Sequence, residues 1–301
     1  MIVITYVETA NSREKPWVLV EWRSYRIAKG SLAQRQAKDQ AKRVAYDLGI
    51  RPKPTGLRTL DCIGLVEDQN RFQFGLLFRV PPGVDVKLGP ITLHSYLCNG
   101  KLDGKLMPFP TLGDRIQLAY TLARSLTELR VIGLFHKNFH SGNVFFFPTR
   151  FTKEVTLRKP YVGGFEVSRP EHDRNLSIST NAKAFDLYRH PDLRDPSNQW
   201  QGRPPWSFKY DVYGLGMVLL EIGLFQPLQR VVGTTEQSSS RHLFEAKRCI
   251  NVAKINLPHM MGPLYCEAVL DCIDFERPAV EDPTALAEKV LKRLEQCHCR
   301  A

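Results

Sequence analysis

The chain has 301 residues, a formal charge of +11 and an isoelectric point near 9.4, with 43% hydrophobic and 24% charged residues. That is the composition of a soluble globular protein with a real core, in one large domain or two modest ones, and it excludes disordered and collagen-like chains. The basic excess is compatible with nucleic acid, an acidic membrane surface or an acidic protein partner. The Lys and Arg residues are scattered, and no aromatic-interleaved basic motif is present, so nucleic acid is not expected as a partner.

"MIVITYVET" and "WVLVEWRSY" are β-branched and aromatic runs around a polar turn and predict a hairpin. "SLAQRQAKDQAKRVAYDLG" has a Ser start, a Gly stop and helix-forming composition. "LDCIGLVED" and "RFQFGLLFRV" predict a second hairpin, and the Pro/Gly segment "PPGVDVKLGP" reads as a hinge between two lobes. "PTLGDRIQLAYTLARSLTEL" predicts a helix capped by Thr111 with Asp114 three residues on, a variant capping box. "NVFFF" and "PYVGGFEV" read as short strands, and residues 168–187 as a long polar loop. "DVYGLGMVLLEIGLF" is apolar on every face and predicts a helix buried all round, with Gly214, Gly216 and Gly223 allowing close neighbours. "GTTEQSSS" reads as a polar loop, and the chain ends in a helix capped by Asp282 with Pro283 in its first turn.

Seven cysteines, an odd count without framework spacing, suit a reducing compartment. The terminal "CHC" has no second Cys/His pair at ligand spacing, so no metal is expected there. No signal-peptide pattern opens the chain. The most apolar run, from Val212 to Leu228, is broken by Glu221 and Gln226 and predicts a buried helix, not a membrane span. The expected compartment is the cytoplasm, with the nucleus left open.

The order of elements, together with "FHKNFHSGNV", "YRHPD", "LVEW" and "DVYGLGMVLLEI", resembles the protein kinase fold over roughly residues 15 to 295. The likeness is closest to fungal kinase-like domains that often follow a HeLo-type prion-inhibition domain. It implies a bilobal α+β fold: a reduced N-lobe of antiparallel strands and one helix over residues 1–82, and a mainly helical C-lobe over 83–301. Within it, His136 and Asn143 match the ends of the catalytic loop H-R-D-x-x-x-x-N, and Phe165 matches the Phe of D-F-G. "HPD" with Asp192 matches A-P-E, Arg277 matches the late Arg that would pair with Asp192, and Asp211 matches the Asp that holds the catalytic loop.

The positions that would handle phosphate, metal and proton depart from the family pattern. No G-x-G-x-x-G precedes "WVLVEW"; the first strand and its Gly loop look absent, which a truncated N-terminus would also produce. Glu21 stands where the family has the phosphate-clasping Lys. Unit charges about 4 Å apart at an effective dielectric of about 20 interact by roughly 4 kcal/mol, so the reversal opposes nucleotide binding. Leu19 and Phe145 would press on the adenine slot. Gly164 replaces the metal-binding Asp, with Glu166 two residues late and expected to point elsewhere. Asn138 replaces the base, and an amide cannot take up a proton. Arg23, otherwise expected at the surface, and His140 are the candidate substitutes.

This pattern of matches and losses implies a pseudokinase, a signalling and interaction module binding protein partners of acidic character, with no cofactor. The alternative is an atypical active serine/threonine kinase using Arg23, His140 or Glu166 with ATP and magnesium.

Overall fold

The computed structural model describes residues 2–6, 17–24, 32–170, 183–194, 205–233, 241–277 and 282–299. A four-stranded antiparallel sheet comes first, in the order β1-β2-β4-β3: β1 (Ile2–Tyr6), β2 (Trp17–Ser24), β3 (Asp61–Asp68) and β4 (Gln73–Arg79). Helix α1 (Leu32–Leu48) packs on it, with Ala37 and Ala41 against Phe74. In the β2–β4 register Leu19 faces Phe78, Glu21 faces Leu76 and Arg23 faces Phe74. Side chains two apart share a face of a strand, so Leu19, Glu21 and Arg23 all point inward, and all three are buried.

Past the segment 80–90 come β5 (Ile91–Thr92), α2 (Leu93–Asn99), the small hairpin β6 (Lys101–Leu102) and β7 (Lys105–Leu106), and then α3 (Leu112–Val131). None of these elements between residues 91 and 106 is among those expected from the sequence. Strands β8 (Leu134–Phe135), β9 (Val144–Phe146), β10 (Tyr161–Val162) and β11 (Arg169–Pro170) are too short to stand alone: β9 pairs with β10 and β5, and β8 with β11. "PYVGGFEV" is therefore a strand only at its start. Gly164 turns at φ +85°, in the left-handed region, and Phe165–Val167 forms a 3₁₀ turn. Of the polar stretch 168–187, residues 171–182 lie outside the described residues, as does most of "GTTEQSSS".

The helical part is completed by α4 (Pro191–Arg194), α5 (Phe208–Leu224), α6 (Leu228–Val232), α7 (Arg241–Met261), α8 (Pro263–Ile273) and α9 (Pro283–His298). The expected caps are present: Thr111 Oγ1 accepts from the Asp114 amide, and the Asp282 side chain accepts from the Thr284 amide. Every residue of α5 except Lys209 is buried, with α3, α7, α8 and α9 packed around it. Among the described residues, no helix is long and apolar enough to cross a membrane.

Close approach to α5 depends on its glycines. A Cβ on Gly216 would lie 2.3 Å from Cys272 Cβ, and one on Gly223 2.5 Å from a Leu257 methyl. Cys272 Cβ is fixed to the α8 backbone and cannot swing aside. We expect Gly216→Ala to lower stability by about 1–3 kcal/mol, the usual cost of overpacking a core. Urea denaturation measures it, and an unchanged midpoint would show that α8 yields.

Candidate functional site

The loop His136–Asn143 and the segment Gly163–Ser168 lie side by side beneath β2. The loop is anchored from below: the amides of His136 and Lys137 donate to Asp211 Oδ2 at 3.0 Å and Oδ1 at 2.7 Å. Burial raises the Asp211 carboxyl to about 7 against the pull of those two amides. His136 is fully buried, and burial lowers its pKa to about 4, so the ring is neutral at physiological pH. Nδ1 accepts from the Asn138 amide at 3.2 Å, which leaves the proton on Nε2 to be donated to the Gly163 carbonyl at 2.9 Å. Ser168 Oγ returns a bond to the His136 carbonyl at 2.7 Å. The imidazole also packs against Phe139 and Phe165, and Phe165 in turn against Phe78 under the sheet. Buried hydrogen bonds and ring contacts thus bring His136, Phe165 and Asp211 together.

Glu21 has a role that the sequence reading did not give it. Its carboxylate reaches down from β2 and accepts the amides of Gly164 at 2.9 Å and Phe165 at 2.8 Å. It is 3% exposed, and burial, then repulsion from Glu166, raises its pKa to about 7. The glycines beneath it leave no room for side chains. A Cβ on Gly163 would lie 2.2 Å from the Phe145 ring and 2.5 Å from Glu21 Oε1. One on Gly164 would lie 2.0 Å from Asn143 Nδ2. Leu19, Phe78, Phe145 and Phe165 are each at most 1% exposed.

Arg23 is not at the surface, contrary to expectation. It is 3% exposed; Nη1 donates to the Ser168 carbonyl at 2.8 Å and Nη2 to Gln40 Oε1 on α1. Gln40 is a functional neighbour that the sequence analysis does not single out. The signal was present, since Gln40 interrupts the buried stripe Ala37, Ala41, Val44 and Leu48.

Glu166 does not point elsewhere either. Its Oε1 accepts from Asn138 Nδ2 at 2.9 Å, placing a half-buried carboxylate against the amide at the base position. Asn143 Nδ2 donates to the Asn138 carbonyl at 2.9 Å. His140 is 6% exposed, and its ring stacks on Phe185 with centroids 3.8 Å apart. Nδ1 accepts from the Gly142 amide at 3.1 Å, which places the ring proton on Nε2, 3.0 Å from Asn143 Nδ2. Burial lowers the His140 pKa to about 3. Nearby, Ser141 Oγ bonds the Tyr188 hydroxyl, which donates to the buried Glu221 at 2.7 Å.

The expected Asp192–Arg277 pair is replaced. Lys209 Nζ lies 3.0 Å from Asp192, while Arg277 turns to Asp271 at 2.9 Å and Glu267 at 3.0 Å. The two residues still line one cleft, with His190 and Phe275 between the "HPD" turn and the end of α8. Arg277 belongs to the acid-rich face of α8, which offers several carboxylates where Asp192 offers one already held by Lys209.

No protein-family model matches the chain. Over 130 residues it is 25% identical to a protein of Dictyostelium discoideum described as a probable serine/threonine-protein kinase. The chain is distantly similar to protein kinases. The match covers 43% of this chain but only 13% of that much longer protein, so the likeness supports a kinase-like relationship and says nothing of the larger protein's remaining length.

The Glu21 clasp has a pH signature. Its folded pKa near 7 lies above the ordinary 4.5, so the folded chain holds a proton that the unfolded chain releases. That contribution is complete below about pH 4.5 and is lost as pH rises through 7. Gln at this position cannot titrate. The stability of wild type relative to Glu21→Gln should therefore fall by a few kcal/mol between pH 5 and pH 8. Parallel melting curves across that range would mean that Glu21 keeps one protonation state throughout.

Proposed function

We propose that this chain is a pseudokinase, a protein kinase-like domain that serves as a signalling and interaction module without efficient phosphotransfer. Its smaller lobe is residues 1–82 and its larger lobe residues 83–301. The observation that carries the reading is the bond from Glu21 to the Gly164 and Phe165 amides. Phosphoryl transfer requires a cation on the phosphates and a carboxylate on the metal. Here a buried carboxyl group occupies the first position and is bound to the backbone of the second, with Asn143 filling the space beside Gly164.

The residues present do not fit magnesium and ATP. Magnesium needs several hard oxygen ligands, and Gly164, at the position where the family resemblance would place a metal-binding carboxylate, supplies none. Leu19 and Phe145 are buried in the slot where the family resemblance would place adenine. Arg23, the candidate phosphate clasp, is committed to Ser168 and Gln40. The chain then acts through its surface, on protein partners whose acidic character suits a charge of +11, in the cytoplasm.

One observation favours the second reading, an atypical active serine/threonine kinase: Glu166 sets a proton acceptor beside Asn138. The two readings separate by thermal shift and by radiolabelled phosphate transfer. The pseudokinase reading expects no rise in melting temperature with millimolar ATP and magnesium and no autophosphorylation. A clear rise, or autophosphorylation that disappears in Glu166→Gln, His140→Ala or Arg23→Ala, would overturn it in favour of the second.

A further inference from the structure

Away from this site, the loop joining β9 to β10 carries Phe151, at 89% the most exposed large hydrophobic side chain among the described residues. The loop is not slack. The Asp85 amide donates to the Pro148 carbonyl and the Arg150 amide to the Gly83 carbonyl, both at 2.8 Å. The Thr149 amide donates to the Glu154 carbonyl at 3.0 Å and the Lys153 amide to the Thr149 carbonyl at 3.1 Å, closing the turn that presents Phe151. Lys153 is ion-paired with the buried Asp85, which fixes the turn to the segment before β5. A folded chain normally spends such anchoring on holding apolar surface inward, and here the anchoring holds a phenyl ring outward.

The surroundings of that ring are basic. From Pro148 to Pro160 the sequence holds four cations, Arg150, Lys153, Arg158 and Lys159, against the single acid Glu154. Lys153 and Arg158 have acid partners, Asp85 and Asp114. Arg150 and Lys159 are exposed and make no ion pair among the described residues; the same holds for Lys87, two residues beyond Asp85. We propose that this Phe151-tipped loop is a docking surface for an anionic lipid bilayer. The ring enters the headgroup–acyl boundary, while Arg150, Lys159 and Lys87 meet lipid phosphates and carboxylates. An apolar tip above a cationic base is the arrangement that interfacial attachment requires. The tip is convex, so a folded partner would need a pocket matched to it, whereas a bilayer deforms around it. The overall charge of +11 favours the same surface.

The test is sedimentation of the full chain with vesicles of phosphatidylcholine alone or with about one-third phosphatidylserine, at physiological and at high salt. We expect binding to the anionic vesicles, weakened by salt and absent from the neutral ones. Phe151→Ser should lower partitioning about tenfold, and Arg150→Glu with Lys159→Glu by at least about thirtyfold, from about 1 kcal/mol for each cation removed. Lys292→Glu, a distant exposed cation on α9, should have no effect. All four sites are exposed, so melting temperatures should be unchanged. In Phe151→Trp the emission should shift to the blue with anionic vesicles. No binding to those vesicles, equal binding by Phe151→Ser, or no spectral shift overturns the proposal. Phe151-dependent binding of an acidic peptide without vesicle binding overturns it in favour of a protein partner.

Discussion

The site hangs on the carboxylate of Asp211. Buried at the first turn of α5, it holds the His136 and Lys137 amides and so fixes the loop that begins there. Everything above follows in sequence. The held loop sets the ring of His136, whose two nitrogens are oriented by the Asn138 amide and the Gly163 carbonyl. His136 thereby fixes the next segment, whose two following amides are the ones that Glu21 receives. A chain of polar contacts thus runs from the most buried helix to the sheet. Each link is a buried group that costs free energy if its partner is withdrawn.

Asp211 and Glu21 solve the same problem in the same way. Each is a buried carboxylate receiving two consecutive backbone amides, and burial raises each to about 7. The difference lies in what surrounds them. Asp211 has Lys137 close by, whose charge is itself weakened because burial lowers its pKa to about 7, whereas Glu21 has Glu166 as a like charge. The upper clamp therefore carries a repulsion, on top of burial, that its two amides must offset. With both carboxyls near 7, pH acts at each end of the chain of contacts.

Much of the fold was legible in the sequence because its signals are local. The Thr111 and Asp282 caps, the all-round apolar α5 and the two hairpins need only neighbouring residues to be read. The site was legible only in part. His136, Phe165 and Asp211 were singled out only through the family resemblance, which carries an order along the chain but no contacts. The partners of Arg23 and Glu166 were not, because they lie 17 to 145 residues away along the chain. Charge alone misled at Glu21: the sequence showed an anion where a cation belongs, but not that two amides would receive it. The Asp192–Arg277 pairing failed for a related reason, since family position could not register Lys209 and the acids of α8 as competitors.

Glu21 and Gly164 are best understood as one feature. With Glu21 present, the 164 amide is committed upward, and the left-handed turn that presents it admits glycine and little else. An aspartate placed there would drive its Cβ into Asn143 while strained at positive φ. A lysine placed at 21 would abandon two buried amides and crowd a second cation towards Arg23. Neither position can be changed singly in this way without loss of stability, and only a concerted change, with a new path for the backbone at 163–165, avoids both penalties. The identities of residues 21 and 164 are thus coupled through one hydrogen-bonded turn, and stability of the fold itself opposes changing either alone.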